Sequence, residues 1–552
     1  MVPSIRTPPE ALWIHWPYAF HRKWSYARLA VQSRCRRTFR CGMRCGAKYR
    51  GRLNHYDGAM AKRSGAFTPV ITMDRSSTQP LHAQVYMALR DAIARGSLRA
   101  GQRVPSSRAM SVELNVSRIT ILGAYAQLLA EGYFETRKGA GTFVSRSLPE
   151  HLTQVKRPVT GRTQKTSGPR PIARRALLYP IEPASRWHSG LGAFAVHQPA
   201  FDEFPFAIWS RLVTHHSKDP TARAIHCVDP LGTRRFREAI CDYLRTARAV
   251  QAEPEQIMIV SGSQQALQLA ANVLLDPGDA VWMEEPGYRL ARNVFAAAGC
   301  RPIPVPVDQE GLNVAAGIKR YPDARAAYVT PSHQYPLGST MSAARRLQLL
   351  HWAQLHGAWI LEDDYDSEYR FASAPISSLQ GLDTNARVIY IGTFSKVLFA
   401  SLRLGYMVIP PDLMERFVAA RYVMDIFPPY LYQEVIADFI REGHFARHIR
   451  RMRLLYSERR RLLVELLRKS LGNTFDIHGT EAGMHLAATF RANRDDVALA
   501  EKAAALGLWL WPLSGSYMTK NIRKGFILGY GNVASQTMPG AVEKLRSVLA
   551  RG

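Results

Sequence analysis

The sequence predicts an α/β protein in two folded parts, a small winged helix-turn-helix unit and then a large domain whose helices cover a mainly parallel sheet. Between residues 80 and 144, three stretches of helical apolar period lead into two short strand-like runs around a basic turn. From about residue 185 to the end, amphipathic stretches alternate with apolar runs at 257–260, 280–283, 327–330, 358–361 and 388–391. Between these parts, residues 146–175 are rich in proline, serine and threonine, with eight basic residues and one acid, the composition of a linker. The expected boundaries are a basic N-terminal extension over 1–72, the small unit over 73–146, the linker over 147–184 and the large domain over 185–552.

Composition narrows the possible functions. A chain of 552 residues exceeds one ordinary domain, and 47% hydrophobic residues can build a large core. No apolar run reaches eighteen residues, so neither a membrane span nor a membrane partner is expected. A formal charge of +29 favours a polyanionic partner. Six cysteines are too few to staple such a chain and no secretory signal is evident, which points to a reducing cytoplasm. Cys35, Cys41 and Cys45, near His15, His21 and His55, lack the paired spacing of zinc sites, so no metal is expected. Residues 1–60 hold twelve Lys/Arg against Glu10 and Asp57. They read as a DNA-assisting tail, an import-type leader or, the favoured reading, a stretch ahead of a true start near Met60 or Met73.

The small unit opens at Pro80. Leu81, Val85, Leu89 and Ile93 give one apolar helix face, ended by Gly96. Pro105-Ser106-Ser107 starts a second helix carrying Met110 and Leu114. Ser117 caps a third, whose buried side is expected to be Leu122, Tyr125, Leu128 and Leu129. Gly132 stops it, and strands follow on either side of the turn 137–141. A recognition helix needs a polar, exposed start to enter the major groove, and Ser117, Arg118 and Thr120 stand there. Ser106, Ser107 and Arg108 at the preceding helix start suit backbone phosphates, and Arg137 and Lys138 would reach from the wing. A protein-interaction module is the alternative that pattern alone leaves open.

These residues resemble the GntR family of winged-helix regulators. The similarity lies in Pro80–Tyr86, Arg103-Val104-Pro105-Ser106-Ser107-Arg108, Asn115–Thr120, Glu131-Gly132-Tyr133 and Lys138–Val144. It implies a dimer bound to double-stranded operator DNA.

In the large domain, a set of strand-end residues suits an aldehyde cofactor. Lys396 follows the apolar run 388–391, where open α/β sheets bind ligands, and its amine can join an aldehyde as an imine. Asp363 and Tyr365 follow the run 358–361. A carboxylate there can keep a pyridine nitrogen protonated, and a tyrosine can bond a phenolic oxygen, although the acid run 362–366 leaves the assignment open by a residue. Ser263 and Gln264, ahead of a helix expected from Ala266, offer phosphate donors with Thr393, Ser395 and Arg403. Tyr288 can stack on a ring.

From about Phe204 onward the chain is similar to the fold-type I aminotransferases of class I and II. The similarity rests on Asp229-Pro230-Leu231-Gly232, Ser261–Gln265, Pro331–Gly338, Glu362–Glu368 and Gly392–Arg403. It implies pyridoxal 5'-phosphate, with Lys396 as the Schiff-base lysine, Asp363 and Tyr365 as ring partners, and Arg403, Thr393, Ser263 and Gln264 at the phosphate. Tyr288 would cover the ring. Where aminotransferases read Asn-Pro-Thr-Gly, this chain reads Tyr335-Pro336-Leu337-Gly338, which puts ordinary transamination in doubt, and the Asp363-to-Tyr365 spacing is one residue short. Both departures fit the MocR/GabR subfamily of GntR regulators, which the chain resembles from about residue 75. Arg523 is the candidate anchor for an effector carboxylate. The expectation is a cytoplasmic, homodimeric, pyridoxal-phosphate-dependent transcriptional regulator whose effector is an amino compound or the cofactor itself. An aminotransferase with an autoregulatory DNA-binding domain is the alternative.

Overall fold

The computed structural model describes residues 71–147, 171–179, 192–218, 229–371, 377–520 and 522–550. Cys35, Cys41 and Cys45 lie outside the described residues, as do most of the N-terminal extension and most of the linker. The chain divides into two compact units, Met1–Lys165 and Thr166–Gly552.

In the first unit, α1 (Leu81–Ala94), α2 (Ser107–Glu113) and α3 (Arg118–Ala130) precede an antiparallel hairpin of β1 (Phe134–Arg137) and β2 (Gly141–Val144). The Ser117 cap expected from sequence forms, accepting from Thr120 N at 3.2 Å, and Ser106 caps α2 in the same way, accepting from Ala109 N at 3.2 Å. Asn115, in the turn between α2 and α3, takes φ 50°, a conformation asparagine tolerates better than most residues. The buried face of α3 differs from expectation. Ile121, Ala124, Tyr125 and Leu128 pack inward, while Leu122 is 45% exposed and Leu129 only half-buried. Positions 121, 124, 125 and 128 form the i, i+3, i+4, i+7 stripe, and the Tyr125 hydroxyl at its centre donates to Pro105 O at 2.9 Å.

In the second unit, an eight-stranded sheet holds β3 (Ile257–Val260), β4 (Ala280–Glu285), β5 (Arg301–Asp308), β6 (Gly311–Leu312), β7 (Ala326–Val329), β8 (Trp359–Asp364), β9 (Val388–Thr393) and β10 (Gly405–Val408). Its order is β3-β10-β9-β8-β7-β4-β5-β6. The run from β9 to β5 is parallel, as the sequence implied, but β10 lies antiparallel between β9 and β3. Four of its strands reach beyond the predicted runs or shift by a residue, while β3 matches. Helices cover both faces; on one of them Trp282 and Trp352 stack at 3.8 Å in the core. The 28-residue helix His444–Leu471 buries Phe445 and Ile449 against one core and Met452 through Leu471 against another. That second core belongs to an antiparallel sheet, β11 (Phe475–His478), β12 (His485–Phe490), β13 (Trp511–Pro512) and β14 (Gly525–Gly529), in the order β11-β12-β14-β13.

The corrected face of α3 separates two neighbouring substitutions. Ile121→Ala, at a site with no exposure, should cost the small unit about 2–5 kcal/mol, whereas Leu122→Ala should stay within about 1 kcal/mol. Denaturant melts of the two variants measure the difference.

Candidate functional site

In the first unit, the candidate DNA-facing residues gather at the starts of α2 and α3. Arg118 Nε donates to Ser107 Oγ at 3.3 Å, joining the two helix starts. Ser106, Arg108, Ser117 and Arg118 are exposed, while Thr120 is half-buried with its hydroxyl 2.8 Å from that of Ser117. On the wing, Lys138 is exposed, and Arg137 is held by Glu135 at 2.6 Å and lies over the Phe143 ring. Ile119, between Arg118 and Thr120, is 80% exposed. The sequence reading passed over it, although the inward set 121, 124, 125 and 128 places it outward. An apolar side chain there suits a thymine methyl.

In the second unit, the site is built around β8. Successive residues of a strand face opposite sides. Asp363, the penultimate residue, accepts Tyr328 Oη at 2.8 Å and Ser263 Oγ at 3.3 Å. Asp364 turns the other way, into a buried pair with Arg248 Nε at 2.7 Å and a bond from Tyr390 Oη at 2.5 Å. This settles which carboxylate of the acid run faces the cavity. It also corrects the predicted end of the strand: Asp363 lies within β8 rather than after it. The acids tolerate burial because each is partnered, Glu362 included, which accepts Leu379 N and Gln380 N at 2.8 and 2.9 Å.

Lys396, three residues beyond β9, lines the same cavity as Asp363, together with Ser263, Gln264, Tyr288, Tyr365, Thr393, Ser395 and Arg403. All the expected cofactor-facing residues are therefore brought together. Ser263 and Gln264 sit in the first turn of the helix Ser263–Leu274, which starts three residues earlier than expected because Gly262, at φ 98°, caps it. First-turn amides have no partner within a helix and so favour an anion. Gln264 Nε2 is buried without a hydrogen-bond partner among the described residues. A methyl group on Gly262 would stand 3.6 Å from Arg403 Nη2, so the guanidinium lies against this helix start. Arg403 itself adopts φ 51°, a left-handed conformation of the kind found at functional sites.

Electrostatics match the geometry. Burial pulls the Lys396 ammonium down to about 8, with Arg403 adding to the depression and Asp366 and Asp363 opposing it. Burial likewise pushes Asp363 up to about 6, against the hydrogen bonds from Tyr328 and Ser263 and the charge of Lys396. A cationic ring nitrogen against Asp363 would relieve that cost. Tyr365 donates to His333 O at 2.8 Å, and its hydroxyl also lies 3.1 Å from His333 Nδ1.

Several site residues escaped the sequence reading. Tyr328 holds Asp363 from β7. Glu284 receives Thr330 N at 3.1 Å, Thr330 Oγ1 at 2.6 Å and Gln334 Nε2 at 3.2 Å, fixing the loop that presents Tyr335. His333 Nδ1 lies 3.0 Å from Asp366, and its ring is 4.8 Å from that of His485. A side chain at Gly483, where φ is 80°, would overlap His333, so glycine makes room for this cluster. His197 lines the cavity from a segment with no strand or helix period, and no sequence signal marked it. Arg523 is not among the lining residues. It opens instead on two other clefts, both shared with His478, because β14 begins two residues after it and carries the chain away.

These residues fit pyridoxal phosphate: an amine, a carboxylate for the ring nitrogen, and an arginine beside a helix start for the phosphate. Comparison with known proteins agrees. Residues 220–524 match the family described as aminotransferase class I and II, and residues 81–144 match the bacterial regulatory proteins of the gntR family. The solved structure of a kynurenine aminotransferase from Pyrococcus horikoshii superimposes with a TM-score of 0.63 at 26% identity, covering 69% of this chain and 97% of the other. LysN, the α-aminoadipate aminotransferase of Thermus thermophilus, gives a TM-score of 0.64 at 25% identity, covering 69% and 97%. The fold is therefore that of a pyridoxal-phosphate-dependent domain joined to a GntR winged helix.

The chain shares 40% identity with the probable rhizopine catabolism regulatory protein MocR of Rhizobium meliloti, over 87% of this chain and 95% of the relative. It shares 30% with the pyridoxine biosynthesis transcriptional regulator PdxR of Corynebacterium glutamicum, over 87% and 99%. It belongs to the MocR/GabR subfamily of GntR regulators.

The depressed Lys396 sets a pH dependence. The neutral amine is the nucleophile, and a group at about 8 is roughly one-tenth neutral at pH 7, far more than an ordinary lysine. Capture of pyridoxal phosphate by the cofactor-free protein should therefore quicken as pH rises from 7 to 9 and level off above it. Stopped-flow absorbance across that range reads the midpoint, and a rise that continues past pH 10 would contradict it.

Proposed function

We propose that the chain is a cytoplasmic transcriptional regulator in which the Lys396 cavity is the effector site and the winged helix reads operator DNA. The observation that carries this reading is the convergence of Lys396, Asp363 and Arg403 on one cavity in a chain that also bears a GntR unit. Bound pyridoxal phosphate supplies an aldehyde able to join amines and an electron-withdrawing ring. Lys396 would hold the aldehyde end and Asp363 would face the ring nitrogen and keep it protonated. Ser263, Gln264, Thr393, Ser395 and Arg403 would hold the phosphate. Tyr288 would cover the ring, and Tyr365 would lie at its phenolic oxygen. The signal is an amino compound or the cofactor itself.

A regulator must convert occupancy into a change of state. Moving an equilibrium from 1:99 to 99:1 takes about 5.5 kcal/mol of preference for one state. An amine entering beside the buried Lys396 would alter charge and contacts where the dielectric is low, and so would act where small differences are large. A homodimer suits two operator half-sites. It is supported by exposed apolar residues at the end of the helix Met414–Asp425 and just beyond it, Tyr422, Val423, Ile426 and Phe427, with Tyr432 on the next helix.

A second reading, an aminotransferase that regulates its own gene, draws on the completeness of the lysine, aspartate and arginine set. Sustained turnover with a keto-acid acceptor separates the two.

The visible absorbance of the cofactor-saturated protein should disappear in Lys396→Ala, and a parent protein lacking that band would refute the cofactor assignment. At the other unit, Arg118→Ala should weaken binding to the DNA upstream of the gene by about 10- to 100-fold with relaxed sequence preference. Lys138→Ala should weaken binding uniformly and lower the salt slope by about one. Fluorescence anisotropy at several salt concentrations distinguishes them.

A further inference from the structure

Helix α3 carries four polar side chains, and the small unit has a use for each. Tyr125 is buried with its hydroxyl on Pro105 O. Arg118 Nε reaches Ser107 Oγ, the Thr120 hydroxyl lies 2.8 Å from that of Ser117, and Gln127 Nε2 donates to Glu131 Oε1 at 3.0 Å. With Ile121, Ala124, Tyr125 and Leu128 facing inward, the opposite side of the helix falls to Ile119, Leu122, Gly123 and Ala126, all exposed. That outer face is wholly aliphatic. Its two large side chains are Ile119 at 80% exposure and Leu122 at 45%. Packing does not account for Ile119, and helix propensity does not ask for a β-branched residue at an open position.

The surroundings of this face identify its occupant. Arg108 and Arg118 are exposed at the two helix starts and Lys138 on the wing, so cations suited to phosphates border it. Between its rows of phosphates, the major groove offers hydrogen-bonding base edges and one apolar group, the thymine C5 methyl. An aliphatic side chain set over the amine of cytosine or adenine would strip its water and return no acceptor. Over a thymine methyl it removes apolar surface from water on both sides. Ile119 and Leu122 stand three residues apart, about 4.5 Å along the helix axis. The step between stacked base pairs is about 3.4 Å, so the two side chains reach neighbouring pairs.

We propose that Ile119 and Leu122 are specificity-determining residues that read thymine methyl groups at two neighbouring base pairs of an operator half-site. This inference rests on the reading that the winged helix binds operator DNA. It assigns a share of the sequence preference to apolar contact, beside the contribution of Arg118 from the edge of the same face.

Uracil differs from thymine only by that methyl, so it tests the contact directly. The full-length, cofactor-saturated protein is titrated by fluorescence anisotropy against the DNA upstream of the gene, made with thymine or with uracil throughout. Duplexes carrying one uracil at a time follow. Two adjacent positions in a half-site should each weaken binding by about three- to five-fold when the methyl is removed. Ile119→Ala should lose about the same factor on the thymine duplex and become indifferent to uracil at one of these positions, and Leu122→Ala at the other. Both side chains are exposed, so circular dichroism and affinity for non-specific DNA should stay at parent values. Parent binding that ignores uracil throughout overturns the inference whether or not the variants fold. So does a uracil effect that both variants retain, which would assign it to DNA shape. A parent with no preference for the upstream DNA over non-specific DNA removes the DNA-reading proposal as well.

Discussion

The site depends on the two-residue period of one strand. Because β8 alternates, Asp363 and Asp364 cannot share a side, and the chain uses both directions. Asp363 meets Tyr328 and Ser263 at the cavity, while Asp364 is locked to Arg248 and Tyr390 behind it. A slip of one residue would exchange a cofactor-facing carboxylate for one buried in an ion pair. Parallel pairing with β7 and β9 fixes that register from both sides and carries Lys396 to the same end of the sheet. The chemistry at the cavity is thus a property of sheet geometry before it is a property of any side chain.

The small unit shows the same economy. Its helix starts do two jobs, since Ser106 and Ser117 satisfy amides of α2 and α3 and also stand on the exposed face. The bond between Arg118 and Ser107 makes the two helix starts one surface rather than two.

Much of this was legible in the sequence, for identifiable reasons. Lys396, Asp363, Arg403 and Ser263 stand at the ends of apolar runs, where strand-to-loop transitions mark a ligand site, and each chemical type is scarce at such a place by chance. The cap of α3 was legible because serine before an apolar period has one strong local use. What escaped was nonlocal. Tyr328 and Glu284 look like interior residues of buried strands, and only the fold shows whom they hold. Ile121 and Leu122 are neighbours of similar hydrophobicity, and only the packing of α3 in the folded unit distinguishes them. Strand β10 reads like its parallel neighbours, since pairing direction leaves no mark on composition. His197 lies in irregular chain, where period carries no information.

The segment around His197 has a further meaning. It is pinned to β14, to Trp509 and to the helix His444–Leu471, so this wall of the cavity is braced by the second, antiparallel sheet and not by the strands that carry Asp363 and Lys396. A ligand that reached from Lys396 to His197 would therefore touch parts of the larger unit held by two different sheets, and would sense any shift of one against the other.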